Sequence, residues 1–314
     1  MRVVVFGAGA VGQLFGARLL RAQHEILLVA RTEEVVAIRG HGLRVEGETE
    51  GVFPVPAVDA LIDGITPDVV LLTVKSFDVE SAGVELGRRL RPVPPVLATQ
   101  NGLGIESTLR RGLERGRAGS PVPVVVRAVH TIPVTRLGPG SIRQAGVGEL
   151  VLGRPAPETE AAAADRFAEL FDSAGFTVRR VSDIEREVWR KLLVNAAINP
   201  VTADHGIPNG QLANEPWRGQ AEELLAEALQ VSRAEGFDFS DEEAPAELWR
   251  VVRATAANRS SMLQDLRRGR PTEIEAISGE LLRRGGVHGL KLPATERALE
   301  RIRRRVRERA GPGT

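Results

Sequence analysis

The 314-residue sequence contains no cysteine and no tyrosine. The first absence excludes disulfides, thiolate metal sites and cysteine nucleophiles. The second removes tyrosine as a catalytic acid. The five histidines are scattered without metal-ligand spacing, so no metal site is expected. No apolar run is long enough to span a bilayer, so no membrane association is expected. Charge of one sign is also lacking. The net charge is +1, with 42% hydrophobic and 26% charged residues, which gives no push toward nucleic acid or an anionic membrane. The N-terminal MRVVVFGAGAVG has one basic residue and a glycine-punctuated apolar run. It reads as a first strand and turn rather than a signal peptide, and a cytoplasmic protein is expected. Lysine is scarce too. Lys75, Lys191 and Lys291 are the only lysines in an arginine-rich chain. Lysine is a compact charge whose pKa can be tuned, whereas arginine does not deliver a proton, so each retained lysine invites a local reason.

The length allows two domains, each with its own core. At the front, Gly7-x-Gly9-x-x-Gly12 follows a β-branched run and precedes an apolar helical pattern and a second strand at 24–30. That context is the one a dinucleotide-binding turn requires. Gly7 permits the turn, Gly9 admits a pyrophosphate against the backbone, and Gly12 lets helix and strand pack closely. Residues Gly7, Ala8, Gly9, Ala10, Val11 and Gly12 are therefore expected at the cofactor, with the helix N-terminus donating amides to phosphate. The second strand ends in Val29-Ala30-Arg31-Thr32, without an acid at its tip. Arg31 suits a ribose 2′-phosphate, so the expected cofactor is NADPH rather than NADH, although Glu33 and Glu34 lie just beyond.

Further strands are predicted at 68–74, 93–99, 122–134, 140–144, 149–152 and 177–181, with a helix at 161–171. Lys75 and Asn101 fall just past strand ends, where ligands sit in open α/β sheets. Each also has a plain reading: a surface lysine after a strand, and an Asn-Gly turn. From residue 183 onward strand signals disappear. Helical patterns cover 183–199, 219–235, 243–258, 260–268, 273–285 and 293–309, and Pro200 favours a break after Asn199. The fold class is thus an α/β Rossmann-type N-terminal domain, 1–182, followed by an all-helical C-terminal domain, 183–314. The basic run at 300–310 reads as a solvated helix face. No internal repeat or low-complexity segment is evident apart from the short tail GPGT.

Within WRKLLVNAAINP, Lys191, Asn195 and Asn199 recur every fourth residue in a mostly apolar helix. They form a stripe about 12 Å long. One reading is a solvent-edge stripe with Lys191 snorkelling outward. The other is a polar wall facing an interdomain cleft. The polar clusters Asn258–Asp265 and Arg270–Glu275 favour the second, since together they offer an ammonium, carboxylates, amides and hydroxyls. That set suits a small polar keto acid.

GAGAVG, TVKSF, QNGLG, WRKLLVNAAINPVTA, GIPNG, SSMLQD and RPTEIEAISG occur in this order. With these motifs the chain resembles the ketopantoate reductases (2-dehydropantoate 2-reductases) over nearly its whole length. The resemblance implies NADPH-dependent reduction of ketopantoate to pantoate, on the route to pantothenate and coenzyme A. It implies Lys191 as proton donor and Glu273 beside substrate and nicotinamide. Asn195, Asn199, Asn209, Asn258 and Ser261 would bind substrate, and Asn101 would lie between substrate and cofactor. Gly7–Gly12, Arg31 and Lys75 would serve NADPH. The stretch 122–148 matches less well, and no nicotinamide-proximal residue is assigned there.

The chemistry is coherent on its own terms. As hydride reaches a carbonyl carbon, charge grows on oxygen, and a positioned ammonium stabilises it and yields a proton. Apolar surroundings ease that release. Two other readings remain: reduction of a different 2-keto acid, and a non-catalytic NADPH-sensing module. The second needs only the front half. Oligomeric state is unreadable here, and a homodimer stays open.

Overall fold

In a computed structural model, which describes residues 1–117, 119, 121–154 and 158–310, the β-branched N-terminal run becomes β1 (Arg2–Phe6), and the glycine turn leads into α1 (Ala10–Arg21). Then come β2 (Glu25–Val29), α2 (Thr32–His41), β3 (Leu43–Gly47), β4 (Gly51–Phe53), β5 (Ala57–Val58) and β6 (Val69–Leu72). A 3-10 turn at Ser76–Asp78 precedes α3 (Val79–Arg89), β7 (Val96–Ala98), α4 (Ile105–Arg117) and β8 (Val125–His130). β9 (Val134–Gly138), β10 (Ser141–Gln144), β11 (Glu149–Gly153), α5 (Glu158–Ser173) and β12 (Thr177–Val181) complete this half. The helices α6 (Ile184–His205), α7 (Trp217–Ala234), α8 (Glu243–Ala254) and α9 (Ser261–Arg267) follow. A π-helical turn at Glu275–Gly279, then α10 (Glu280–Val287) and α11 (Pro293–Ala310), end the described chain. The tail GPGT lies outside the described residues.

Two compact units result: Met1–Gln100 with Ile105–Ile184, and Asn101–Gly104 with Glu185–Thr314. The first holds an eight-stranded sheet in the order β12-β11-β8-β7-β6-β1-β2-β5. Its strand pairs are parallel except β8 with β11. β1 lies between β2 and β6, so successive connections leave it in opposite directions. Its C-terminal end is a topological switch point, where α/β sheets bind ligands. Both faces are buried. Val3 and Val5 join one core with Phe15, Phe171 and Phe176, whereas Val4 and Phe6 join another with Val79, Leu86 and Leu109. This is why the strand reads as a continuous apolar run.

A second, four-stranded sheet, β4-β3-β10-β9, belongs to the same unit. The single strand expected over 122–134 is two, β8 and β9, parted at Thr131–Pro133, where Pro133 offers no ladder donor. Strands β3 to β5 have no counterpart in the sequence reading, because they are short and interrupted by glycines and acids.

In the helical unit, the break expected at Pro200 does not occur. α6 runs through it to His205. Pro200, Val201, Thr202 and Ala203 are all buried, and packing outweighs the lost amide. Two residues on, the Thr202 hydroxyl bonds back to Ile198 O at 2.7 Å. Trp189 is fully buried against Phe237, at a ring separation of 5.8 Å. Across α7 and α11, buried Glu227 accepts from Ala294 N at 2.8 Å, Thr295 N at 2.7 Å and the Thr295 hydroxyl at 2.7 Å. It thereby satisfies orphan amides at the start of α11. Among the described residues, no helix is long and apolar enough to cross a membrane.

Candidate active site

The glycine turn is set by its backbone. Gly7 sits at φ +105°, and a Cβ there would meet Val74 N at 2.5 Å. A Cβ on Gly12 would meet Gly7 O and Thr73 Oγ1, each at 2.5 Å. Gly9 differs: a Cβ there would find nothing within 4 Å. Gly9 is exposed at the N-terminus of α1 and lacks a side-chain cap, so the turn opens on space beside unsatisfied helix amides. That cradle has the shape and polarity a pyrophosphate needs. Below it, Thr73 donates to Gly7 O at 2.7 Å and ties β6 to the turn.

The tip of β2 presents Arg31 as the exposed N-cap position of α2. The two acids beyond it are occupied elsewhere. Glu34 is 5% exposed. It accepts from Gln13 Nε2 at 2.9 Å, from Gly140 N at 2.7 Å and from Arg136 Nε. Glu33 accepts from Arg136 at 3.0 Å. Asp78, in the turn after Lys75, has its carboxyl pushed up by burial and pulled partly back by the charge of Arg31. Lys75 is half-buried in this unit, just beyond β6.

In the helical unit, Lys191 and Asn195 are half-buried and Asn199 is 5% exposed, all on the one uninterrupted helix α6. Asn101, from the short segment that clusters with this unit, donates through Nδ2 to Glu273 Oε2 at 3.0 Å. Next to it, Gly102 has φ +91°, and a Cβ would lie 2.5 Å from Ala276 O. The Asn-Gly pair is thus pressed onto the π-helical turn. Such turns are frequent at functional sites. Glu273 is 7% exposed just before it.

Asn209 is buried. Its Nδ2 donates to Thr255 Oγ1 at 2.9 Å, while its backbone amide donates to Asn258 O at 2.9 Å. Asn209 Oδ1 and Asn101 Oδ1 are buried without hydrogen-bond partners among the described residues. Unsatisfied buried acceptors in two amides of one unit point to a ligand donor. Asn258 and Ser261 are exposed. Ser260, which the sequence reading did not single out, accepts from Leu263 N at 3.2 Å, capping α9, and its hydroxyl lies 2.7 Å from that of Thr202. The structure therefore joins Asn101 with Glu273, and Asn209 with Asn258. It also reveals Ser260, Gln13 and Arg136 as connectors that no local motif announced. No group of three or more potential metal-binding His, Asp or Glu side chains occurs among the described residues.

Residues 3–157 match the family model for ketopantoate reductase PanE/ApbA, and residues 183–306 match that for its C-terminal part. The 2-dehydropantoate 2-reductase of Archaeoglobus fulgidus is 33% identical over 303 residues, covering 96% of this chain and 97% of the relative. That of Halobacterium salinarum is 34% identical over 309 residues, covering 96% and 98%. The crystal structure of a PanE/ApbA family ketopantoate reductase from Ralstonia eutropha JMP134 superposes with a TM-score of 0.87. Its identity is 32%, over 99% of this chain and all of that one, at 100%.

Proposed function

The chain belongs to the ketopantoate reductase family, and from that premise we propose that it reduces 2-dehydropantoate to pantoate with NADPH. The reading rests on one observation above others. Asn101 and Glu273, both expected beside the substrate, are hydrogen-bonded across 172 positions, and Asn101 Oδ1 is left buried and unsatisfied.

Bound NADPH supplies the hydride for the C2 carbonyl. The front unit's residues hold the cofactor. Gly9 gives the pyrophosphate room, the first amides of α1 donate to it, and Arg31 and Lys75 offer positive charge to its phosphates. In the helical unit, the Lys191 ammonium stabilises the charge that grows on the substrate oxygen. It then passes a proton from Nζ to that oxygen, leaving a hydroxyl. Asn195, Asn199, Asn209, Asn258 and Ser261 bind the carboxylate and hydroxyl with little added net charge. Glu273 orients Asn101 and accepts from the substrate hydroxyl. A cytoplasmic location belongs to the same reading.

The test is NADPH oxidation with ketopantoate, beside NADH, other 2-keto acids and the Lys191→Ala variant. Turnover with NADPH and ketopantoate, lowered about 10²- to 10⁴-fold in the variant, is the expected outcome. Near-wild-type turnover in folded Lys191→Ala sinks the proton-donor assignment. A faster rate with another keto acid replaces the substrate.

A further inference from the structure

Arg136 reaches out of the small sheet to hold both acids of the first turn of α2. Its NH2 donates to Glu33 Oε1 at 3.0 Å and its Nε to Glu34 Oε1. Only 11% of the Arg136 side chain is exposed. Glu34 in turn receives Gln13 Nε2, and the same nitrogen donates to Ala8 O at 2.9 Å, in the glycine turn. Both neighbours of that nitrogen are acceptors, which fixes the amide's orientation. One chain of bonds therefore runs from Arg136 through Glu34 and Gln13 to the turn.

Acids in a first helical turn are ordinarily favourable. Here they lie within three residues of Arg31, the position that meets a 2′-phosphate, and bare carboxylates there would repel a dianion. Both are held by the one guanidinium instead, which halves their joint charge. We propose that Arg136 is a specificity-determining residue, selecting NADPH over NADH without touching the nucleotide. It offsets one of the two negative charges that Glu33 and Glu34 place beside Arg31. This rests on the assignment of Arg31 to the 2′-phosphate. It also gives the four-stranded sheet a role: β9 and the following turn deliver Arg136 and Gly140 N to Glu34.

The measurement is equilibrium titration of the protein with NADPH and with NADH, followed by nucleotide fluorescence without substrate. Wild type is expected to prefer NADPH; equal affinity for both overturns the cofactor reading itself. In Arg136→Gln, NADPH binding should weaken about tenfold, with NADH within about twofold. The double variant Glu33→Gln/Arg136→Gln should recover part of the loss, because one of the uncovered charges is gone. Equal weakening of both nucleotides marks a merely structural role and overturns the proposal, as does an unchanged NADPH affinity. Absence of recovery in the double variant marks direct contact with phosphate and also overturns it. Should circular dichroism show Arg136→Gln unfolded, Glu33→Gln alone decides. Its half-exposed side chain can change without touching the core. It should tighten NADPH about threefold and leave NADH unmoved, and unchanged NADPH affinity rejects the proposal.

Discussion

Asn101 Nδ2 lies 3.0 Å from Glu273 Oε2, so the carboxylate fixes which way the amide points and turns Oδ1 toward a position with no protein donor. Asn101→Ala removes that acceptor and should raise KM for the keto acid about tenfold. Asn101→Asp should be worse, because it sets a second carboxylate against Glu273 and one of the two must take up a proton. Steady-state kinetics of both variants against pH check this. Equal kinetics for Ala and Asp contradict it.

Two glycines of one motif should respond differently to alanine. Gly9→Ala meets no atom within 4 Å and should leave the thermal midpoint in place while weakening nucleotide binding. Gly12→Ala would drive a methyl into Gly7 O and Thr73 Oγ1, both at 2.5 Å, and should destabilise the fold by about 1–3 kcal/mol. Thermal melts alongside nucleotide titrations separate the two effects.

Glu227 accepts three hydrogen bonds at the start of α11 while buried. Replacing it with alanine leaves two amides and a hydroxyl in an apolar setting, and should lower stability by about 3 kcal/mol. Urea unfolding at neutral pH measures this. A loss under about 0.5 kcal/mol, the range of ordinary surface substitutions, contradicts the capping role.

Acid should loosen the contact between α7 and α10. Burial works to raise the Glu235 carboxyl, but hydrogen bonds from His288 and Arg284, with their charges, outweigh it and hold it below its ordinary value of 4.5. Glu280 is depressed in the same way: burial is outweighed by Arg283 and Arg284. A carboxyl depressed in the folded state stabilises fully above its unfolded value and loses that contribution as pH falls through the folded one. Urea midpoints should therefore fall on acidification below the ordinary carboxylate range, and less steeply in Glu235→Gln. Parallel declines in both proteins refute it.

Much of the fold was legible because single residues carry strong local constraints. Gly7 and Gly12 each sit where a side chain cannot, and the run Val69–Leu72 is apolar throughout because both its faces are covered. Of the small sheet, β10 was legible as the strand expected at 140–144, but β4, like β5 at the edge of the large sheet, is too short to show a period. Pro200 misled because local propensity was set against burial that only the tertiary structure supplies. In the site, the lysine-amide stripe followed from helical spacing within α6. The hold of Arg136 on Glu34 spans 102 positions, and that of Asn101 on Glu273 spans 172. Pairings at such separations leave no periodic trace, and side chains of common types announce nothing until folding brings them together.

The π-helical turn at Glu275–Gly279 makes this part of the chain a buffer of length. It accommodates one residue more than a regular turn would. A relative lacking one residue there would regain ordinary α-helical bonding. Because the bulge takes up the extra residue, the helix beyond would keep nearly the same facing. Arg284, whose Nε holds Glu280 at 2.9 Å and whose NH1 holds Glu235, would stay at the end of α7. A gap of one residue is therefore tolerable across these five residues, whereas in a regular stretch of α10 it would turn everything beyond by about 100°.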